Sequence, residues 1–167
     1  MTTTIRATAL AAAFAVLIAT AADAQDRPEF VEPRVYSAAE VVQAVAEAPT
    51  RGLPGQFAFI VRGGGRDGGR LFLNSEVDYR DAGTLTVAVD GPVAAALTEQ
   101  LSGPPEQRLI GRTIVVQGVA RRVRIDILAN GLATGRFYTQ THVPVSQPQA
   151  LHVVPGPAAP VSFPARP

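Results

Sequence analysis

The sequence predicts a mainly β domain: a small five-stranded Greek-key barrel with a helix between strands 3 and 4 and a short N-terminal helix. Three observations carry that expectation. Residues 84–90 (TLTVAVD) and 136–145 (RFYTQTHVPV) sort their side chains with the period of two that a strand requires. Residues 92–101 (PVAAALTEQL) are alanine-rich and open on a proline, which suits a first helical turn, and they stand between strand-like runs. Chain reversals are signalled by the glycine-rich RGGGRDGGR and by Asn130-Gly131.

Taken in order, Ser37-Ala38-Ala39-Glu40 has the spacing of a capping box, in which serine and glutamate each accept from the other's backbone N–H. Val41, Val42 and Val45 continue as an apolar stripe that ends before Pro49. Residues 57–61 read as a first strand and 71–73 as a second, with the glycine run between them as a hairpin loop. In 84–90, Leu85, Val87 and Val89 share one face and Thr84, Thr86 and Asp90 the other, so this strand is expected to be half-buried. The helix over 92–101 stops at Gly103-Pro104-Pro105. Residues 112–127 give a long strand signal whose phase changes, with Ile114 and Val116 on the even face and Val119, Val123, Ile125 and Ile127 on the odd one. Gly118 sits at the change, where a bulge or bend is expected. After the turn in 128–135 the chain returns over 136–145, with Phe137, Thr139, Thr141 and Val143 opposite Arg136, Tyr138, Gln140 and His142, and 151–154 completes the domain. Five strands with a helix between the third and fourth are the topology of the OB-fold.

The succession LFLNSEVDYRD, TLTVAVD, LIGRTIVVQGVARR and YTQTHVPVSQPQALHVV resembles exported bacterial OB-fold domain proteins over roughly residues 57–154. A Leu-x-Leu-Asn strand leads to a Tyr-Arg turn, a Gly-Arg-x-Ile-x-Val-x-Gly strand follows the helix, and the last segment ends in Gln-x-Leu-x-Val. The leading helix and first strand are similar to periplasmic OB-fold stress proteins, and LNSEVDYRD through LTVAV is more like OB domains that accompany or resemble thermonucleases. A thermonuclease-type site would need calcium-binding carboxylates with two arginines and a glutamate. The complete set is not matched here, so the resemblance carries over no catalytic residue.

The first 24 residues read as a signal peptide: Arg6 precedes an apolar run at 9–20, and Ala22-Asp23-Ala24 places small residues where a signal peptidase reads them, so cleavage is expected after Ala24. The run is shorter than the roughly 20 residues a membrane-spanning helix needs, so no membrane span is expected after cleavage. The chain is then periplasmic or secreted. Residues 25–36 read as an extended arm, 37–154 as the OB-fold domain, and 155–167, with five prolines, as a flexible tail. The absence of cysteine excludes disulfides and thiol chemistry, so an exported domain must rely on its packing. All 15 basic residues are arginine, against 14 acidic ones. That balance disfavours a strongly basic protein held mainly through phosphates.

Three constellations could carry function. The loop 63–69 satisfies G-x-G-x-x-G by letter, but a strand rather than a helix follows it, so a dinucleotide site is not expected. Arg62, Arg66 and Arg70 could instead present guanidinium groups to a ligand phosphate or carboxylate at the barrel rim. Arg121, Arg122 and Arg124 form a basic run whose hairpin partner offers Tyr138, Gln140 and His142, and Phe72 adds a ring on the second strand. Charge interleaved with rings is what single-stranded nucleic acid requires. Glu76, Asp78 and Asp81 read as a structural turn in which Tyr79 packs over a barrel end, and neither they nor His142 and His152 form a recognisable metal set. Ser75 and Ser146 lack a base at any motif spacing. The sequence thus points to an exported, non-catalytic binding module without cofactor or metal. Arg62, Arg66, Arg70, Phe72, Arg122, Arg124, Tyr138 and His142 are its candidate ligand residues. An anionic ligand or single-stranded nucleic acid, or a protein partner of an envelope stress or structural protein, are the alternatives.

Overall fold

A computed structural model describes residues 34–156. The expected signal peptide, most of the arm and the tail from residue 157 onward lie outside the described residues. The chain is mainly β. Its strands are β1 (Val35–Ser37), β2 (Leu53–Ile60), β3 (Gly63–Asp67), β4 (Arg70–Asn74), β5 (Leu85–Val89), β6 (Thr113–Ala129), β7 (Leu132–Val145) and β8 (Leu151–Val153). Three helices join them: α1 (Ala38–Glu47), α2 (Gly91–Gln100) and α3 (Pro105–Arg108). One mixed sheet runs in the order β1-β2-β6-β7-β5-β4-β3, and β8 also pairs with β6. The β1–β2 and β5–β7 pairs are parallel and the rest antiparallel.

Eight strand segments stand where five were expected, and α2 and α3 fall between the fifth and sixth rather than the third and fourth. Two short segments, β1 and β8, add pairing at the ends of the domain, so the arm already becomes a strand at Val35. The glycine run is the other cause. Residues 63–67, expected as loop, pair in register with β4 from Gly63–Asn74 to Asp67–Arg70, and only Gly68 and Gly69 turn the chain. Both have positive φ, +53° and +81°, as a two-residue hairpin of this hand needs. Two of the three glycines within the strand answer to crowding: a Cβ on Gly63 would sit 2.9 Å from the Glu76 carbonyl oxygen and one on Gly64 3.1 Å from the Phe72 carbonyl oxygen, whereas Gly65 faces open space.

Local signals explain the helices. The Ser37 and Glu40 side chains form the capping box at the start of α1, and Val41 and Val45 point from that helix into the core with no exposure. Complete burial of each valine contributes about 1.5–3 kcal/mol relative to an exposed one. They pack among Phe57, Leu71, Leu73, Leu85, Val87, Leu109, Ile114 and Val116. The strand β5 is buried on both faces rather than one, because it lies between β4 and β7 and its Thr86 hydroxyl is satisfied by Asn74 Oδ1 at 3.0 Å.

The phase change in β6 has a different origin from the bulge expected at Gly118. The register with β2 runs unbroken through Gly55–Gly118. Even-numbered residues face the core as far as Ala120, where β2 ends; β5 stays paired with β7 to Thr141, opposite Arg122, beyond which β6 and β7 continue as a two-stranded hairpin, and the even face meets solvent at Arg122 and Arg124. Gly118 is needed for clearance, since a Cβ there would lie 2.8 Å from Val143 Cγ1. The one register shift in the hairpin falls between Asp126 and Leu128. The expected loop over 128–135 shrinks to Asn130-Gly131, with φ of +52° and +79°.

Candidate functional site

An open cleft of about 490 Å³ lies over β3, β4, β5, β7 and the start of the hairpin. Strand alternation places its lining. Phe72 and Asn74 come from β4, Thr86 from β5, Tyr138, Gln140 and His142 from β7, and Ile125 from β6, each on the face turned away from the core. Tyr79, in the loop between β4 and β5, closes one side, and Arg66 with Asp67 forms the opposite rim. A second hollow of about 510 Å³ continues past Tyr79, Ile125 and Tyr138 along the hairpin.

A hydrogen-bonded chain fixes the cleft floor. The buried Gln140 amide donates through Nε2 to the Tyr79 carbonyl oxygen, tying the loop to the sheet. With Nε2 committed as donor, Oε1 is the acceptor, so the His142 Nε2 2.7 Å away carries a proton and donates to it. Burial lowers the His142 pKa from its ordinary value, so the ring is neutral near pH 7 and its Nδ1 is an acceptor. The Phe72 ring lies 6.3 Å from it at 58°. Burial, then the charge of a nearby Tyr79, raises the Tyr138 pKa, and the phenol stays protonated as a hydroxyl donor. Tyr79 is held from outside by Arg80, whose Nε donates to its hydroxyl at 3.2 Å and whose guanidinium sits 5.3 Å from the ring centre.

Of the residues expected at a site, the cleft brings together Arg66, Phe72, Tyr138 and His142. The other four go elsewhere. Arg62 lies 3.8 Å from Glu76 and Arg70 3.2 Å from Asp90, both exposed. Arg122 and Arg124 are on the hairpin face opposite Tyr138: Arg122 donates to Thr139 Oγ1 at 2.7 Å, and Arg124 bridges Asp126 at 2.8 Å over the Phe137 ring. The expected basic run therefore splits, because adjacent residues of a strand point to opposite faces. Arg66 itself is neutralised. Its Nε donates to Glu106 of α3 at 3.0 and 3.2 Å and its NH2 to Thr98 of α2 at 3.1 Å.

The remaining lining, Gly64, Gly65, Asp67, Asn74, Tyr79, Thr86, Ile125 and Gln140, is not among the ligand residues expected from sequence. Face parity within β4, β5, β6 and β7 is the signal for Asn74, Thr86, Ile125 and Gln140, whereas no strand period reaches Tyr79 in its loop. Among the described residues no group of three or more His, Cys, Asp or Glu side chains is placed to hold a metal. Ser75 is structural, its buried Oγ accepting from the Leu85 N–H at 2.9 Å. The acidic turn is built by Asx bonds, Asp78 Oδ1 accepting from the Arg80 N–H and Asp81 Oδ1 from the Gly83 N–H. The cleft thus offers three aromatic rings, a neutral imidazole and uncharged amide and hydroxyl groups, with one cation already paired to Glu106, and the Asp67 carboxylate at the rim.

No family profile matches the chain, and no curated protein does. Among solved structures, it is similar to a chain assigned as an aspartyl-tRNA synthetase from Leishmania major Friedlin, at 10% identity and a TM-score of 0.41. That likeness takes in 81% of this chain and 23% of the other. None of the helices among the described residues is long and apolar enough to cross a membrane.

Proposed function

We propose that the chain is an exported, non-catalytic OB-fold module whose cleft binds an uncharged, ring-bearing polar ligand. The barrel reading treats β2 and β3 as halves of one bent strand. Only Val61 and Arg62 separate them, and the Val61 N–H donates to Arg112 O while the Arg62 N–H donates to Asn74 O, so hydrogen bonding passes from β6 to β4 without a gap. Setting β1 and β8 aside, the five strands then pair first with second, second with third, third with fifth, fifth with fourth and fourth with first, and α2 and α3 fall between third and fourth. The carrying observation for the ligand is a floor of rings and neutral hydrogen-bonding groups, with the only charges at the rim, where Arg66 is held by Glu106 and Asp67 adds a carboxylate that disfavours an anion. Flat faces of sugar rings or bases stack on such side chains, and neutral donors and acceptors orient them. Export rests on residues 1–24 and is tested by sequencing the N-terminus of the secreted protein, expected at Gln25.

Two of the three tyrosines, Tyr79 and Tyr138, line the cleft and the chain has no tryptophan, so intrinsic tyrosine fluorescence reports on it directly. Titration with a panel of neutral oligosaccharides is expected to change that fluorescence with an affinity insensitive to salt, weakened about tenfold or more by Phe72→Ala. Stacking also suits the bases of a single strand, which is the second reading. Oligothymidylate binding that weakens steeply with salt, with no response to the sugars, would replace the first reading with the second. No response to either probe overturns both.

A further inference from the structure

Beyond Ala120 the hairpin leaves its neighbours. β2 pairs with β6 only as far as Leu53–Ala120, so from Arg121 to Ala129 that side of β6 has no partner strand among the described residues. The far edge of the hairpin is partly covered, because Gln140 ties β7 to Tyr79 and the second hollow brings Arg80 beside Tyr138. The direction of the open backbone groups follows from alternation. Arg112 O, one residue before β6, accepts from the Val61 N–H on the β2 side, Thr113 O from the Val154 N–H on the β8 side, and Ile127 O from the Thr134 hydroxyl on the β7 side. Odd residues of β6 therefore bond toward β7 and β8, and residues 122, 124, 126 and 128 present their N–H and C=O groups to the open edge. Such a row is a template for another strand. Exposed apolar side chains lie on the same hairpin: Leu128 of β6 is 61% exposed, and Leu132 and Phe137 stand one strand away on β7.

We propose that the open edge of β6 pairs with the same edge of a second copy, antiparallel, about a two-fold axis through Ile125. An axis normal to the sheet puts each residue opposite one on the same face, so each register is centred on one residue. A centre at Arg124 sets that arginine against itself, and one at Asp126 does the same for the aspartate. A centre at Val123 opposes Arg122 to Arg124. Only the centre at Ile125 sets Arg124 of each copy against Asp126 of the other, Val123 against Ile127 and Arg122 against the exposed Leu128. That register also makes 124 with 126 and 122 with 128 the hydrogen-bonded pairs, as the outward backbone groups require, and leaves Ile125 facing itself in a close non-bonded pair. Arg124 and Asp126 already bridge within one chain, both exposed, so they exchange partners without burying a charge. Because Ile125 lines the cleft, the two clefts open on the same face and meet at the axis.

The chain has no cysteine, so Ile125→Cys is a single-site probe. The full chain is expected to sediment as a dimer at about 100 µM. Ile125→Cys should cross-link to itself on mild oxidation while Leu132→Cys does not, since only a residue on the axis meets its own copy within disulfide reach. Arg124→Asp turns two attractive pairs repulsive and is expected to raise the dimer dissociation constant about tenfold or more. Arg124→Asp with Asp126→Arg should restore it to within about threefold, which separates the pairing from any folding defect of the single change. A monomer at that concentration, cross-linking at residue 132 in preference to 125, or a charge-swapped chain that stays monomeric overturns the proposal.

Discussion

Gln140→Leu tests whether the amide in the cleft floor holds the site together. Gln140 is 6% exposed and is the one side chain that joins the Tyr79 loop to His142. Leucine keeps the volume but leaves the Tyr79 carbonyl oxygen and the His142 Nε2–H without their partner. An unpaired buried polar group costs about 1–3 kcal/mol. Tyr79 is exposed and His142 partly buried, so both orphaned groups can recruit some water, the lower end applies to each, and the expected loss is about 2 kcal/mol. For a domain of this size about 1 kcal/mol shifts the melting temperature by roughly 3–5 °C, which places the variant about 6–10 °C below the parent. Urea and thermal unfolding followed by circular dichroism measure both quantities. The companion variant, Gln140→Leu with His142→Phe, removes one orphan together with its partner and should recover about 1 kcal/mol over the sum of the single changes. A loss under about 0.5 kcal/mol for Gln140→Leu, or strict additivity in the double variant, would refute the hydrogen-bonded floor.

Burial holds the folded-state pKa of His142 below its unfolded value of about 6.5. The unfolded chain therefore binds the proton more tightly: the stability is present in full above that value, declines as pH falls below it and is gone once pH passes the folded pKa. Denaturant midpoints at pH 7.5 and 5.5 should differ more for the parent than for His142→Gln. Gly118→Ala forces a methyl to within 2.8 Å of Val143 Cγ1 and is expected to cost about 1–3 kcal/mol, whereas Gly65→Ala, with nothing within 4 Å of the new Cβ, should change the unfolding free energy read from urea titration by under about 0.5 kcal/mol. Glu106→Gln frees the Arg66 guanidinium from its bidentate partner at the cleft rim. Affinity for oligothymidylate should then rise and gain salt dependence, with stability nearly unchanged because the pair is on the surface. Fluorescence titration at two salt concentrations decides it.

Period and punctuation made most of the fold legible. The capping box at Ser37 and Glu40, the proline opening α2, the Asn130-Gly131 turn and the face assignment of β7 can all be read from neighbours within a few residues, and the helices and strands form there. What could not be read depends on partners far along the chain. The glycines of β3 have no side chains to reveal a strand, and only pairing with β4 makes them one. Thr84, just before β5, and Thr86 within it look like a solvent face, but both are buried, with their hydroxyls donating to the Asp78 carbonyl oxygen and to Asn74 Oδ1. The phase change in β6 is real, but neighbouring residues alone point to a local bend, whereas its cause is the end of β2 opposite Ala120.

The candidate site was half legible for the same reason. Rings and a histidine on alternate residues of one strand must share a face, so Tyr138 and His142 could be placed together with Phe72 across the sheet. Arginines could not, because a guanidinium's role depends on which carboxylate lies within reach, and Glu106, Asp90 and Glu76 are brought to Arg66, Arg70 and Arg62 by the fold. Counting arginines along the sequence therefore overstates the positive charge a ligand would meet. The Arg62 and Arg70 pairs are exposed and individually weak and the Arg66–Glu106 pair is partly buried, and together they move the site from anion capture toward stacking and neutral hydrogen bonding. A single acidic-to-neutral change at Glu106 reverses that balance at the one arginine in the cleft, which is why the salt dependence of that variant discriminates between the two ligand classes more sharply than any removal of an arginine.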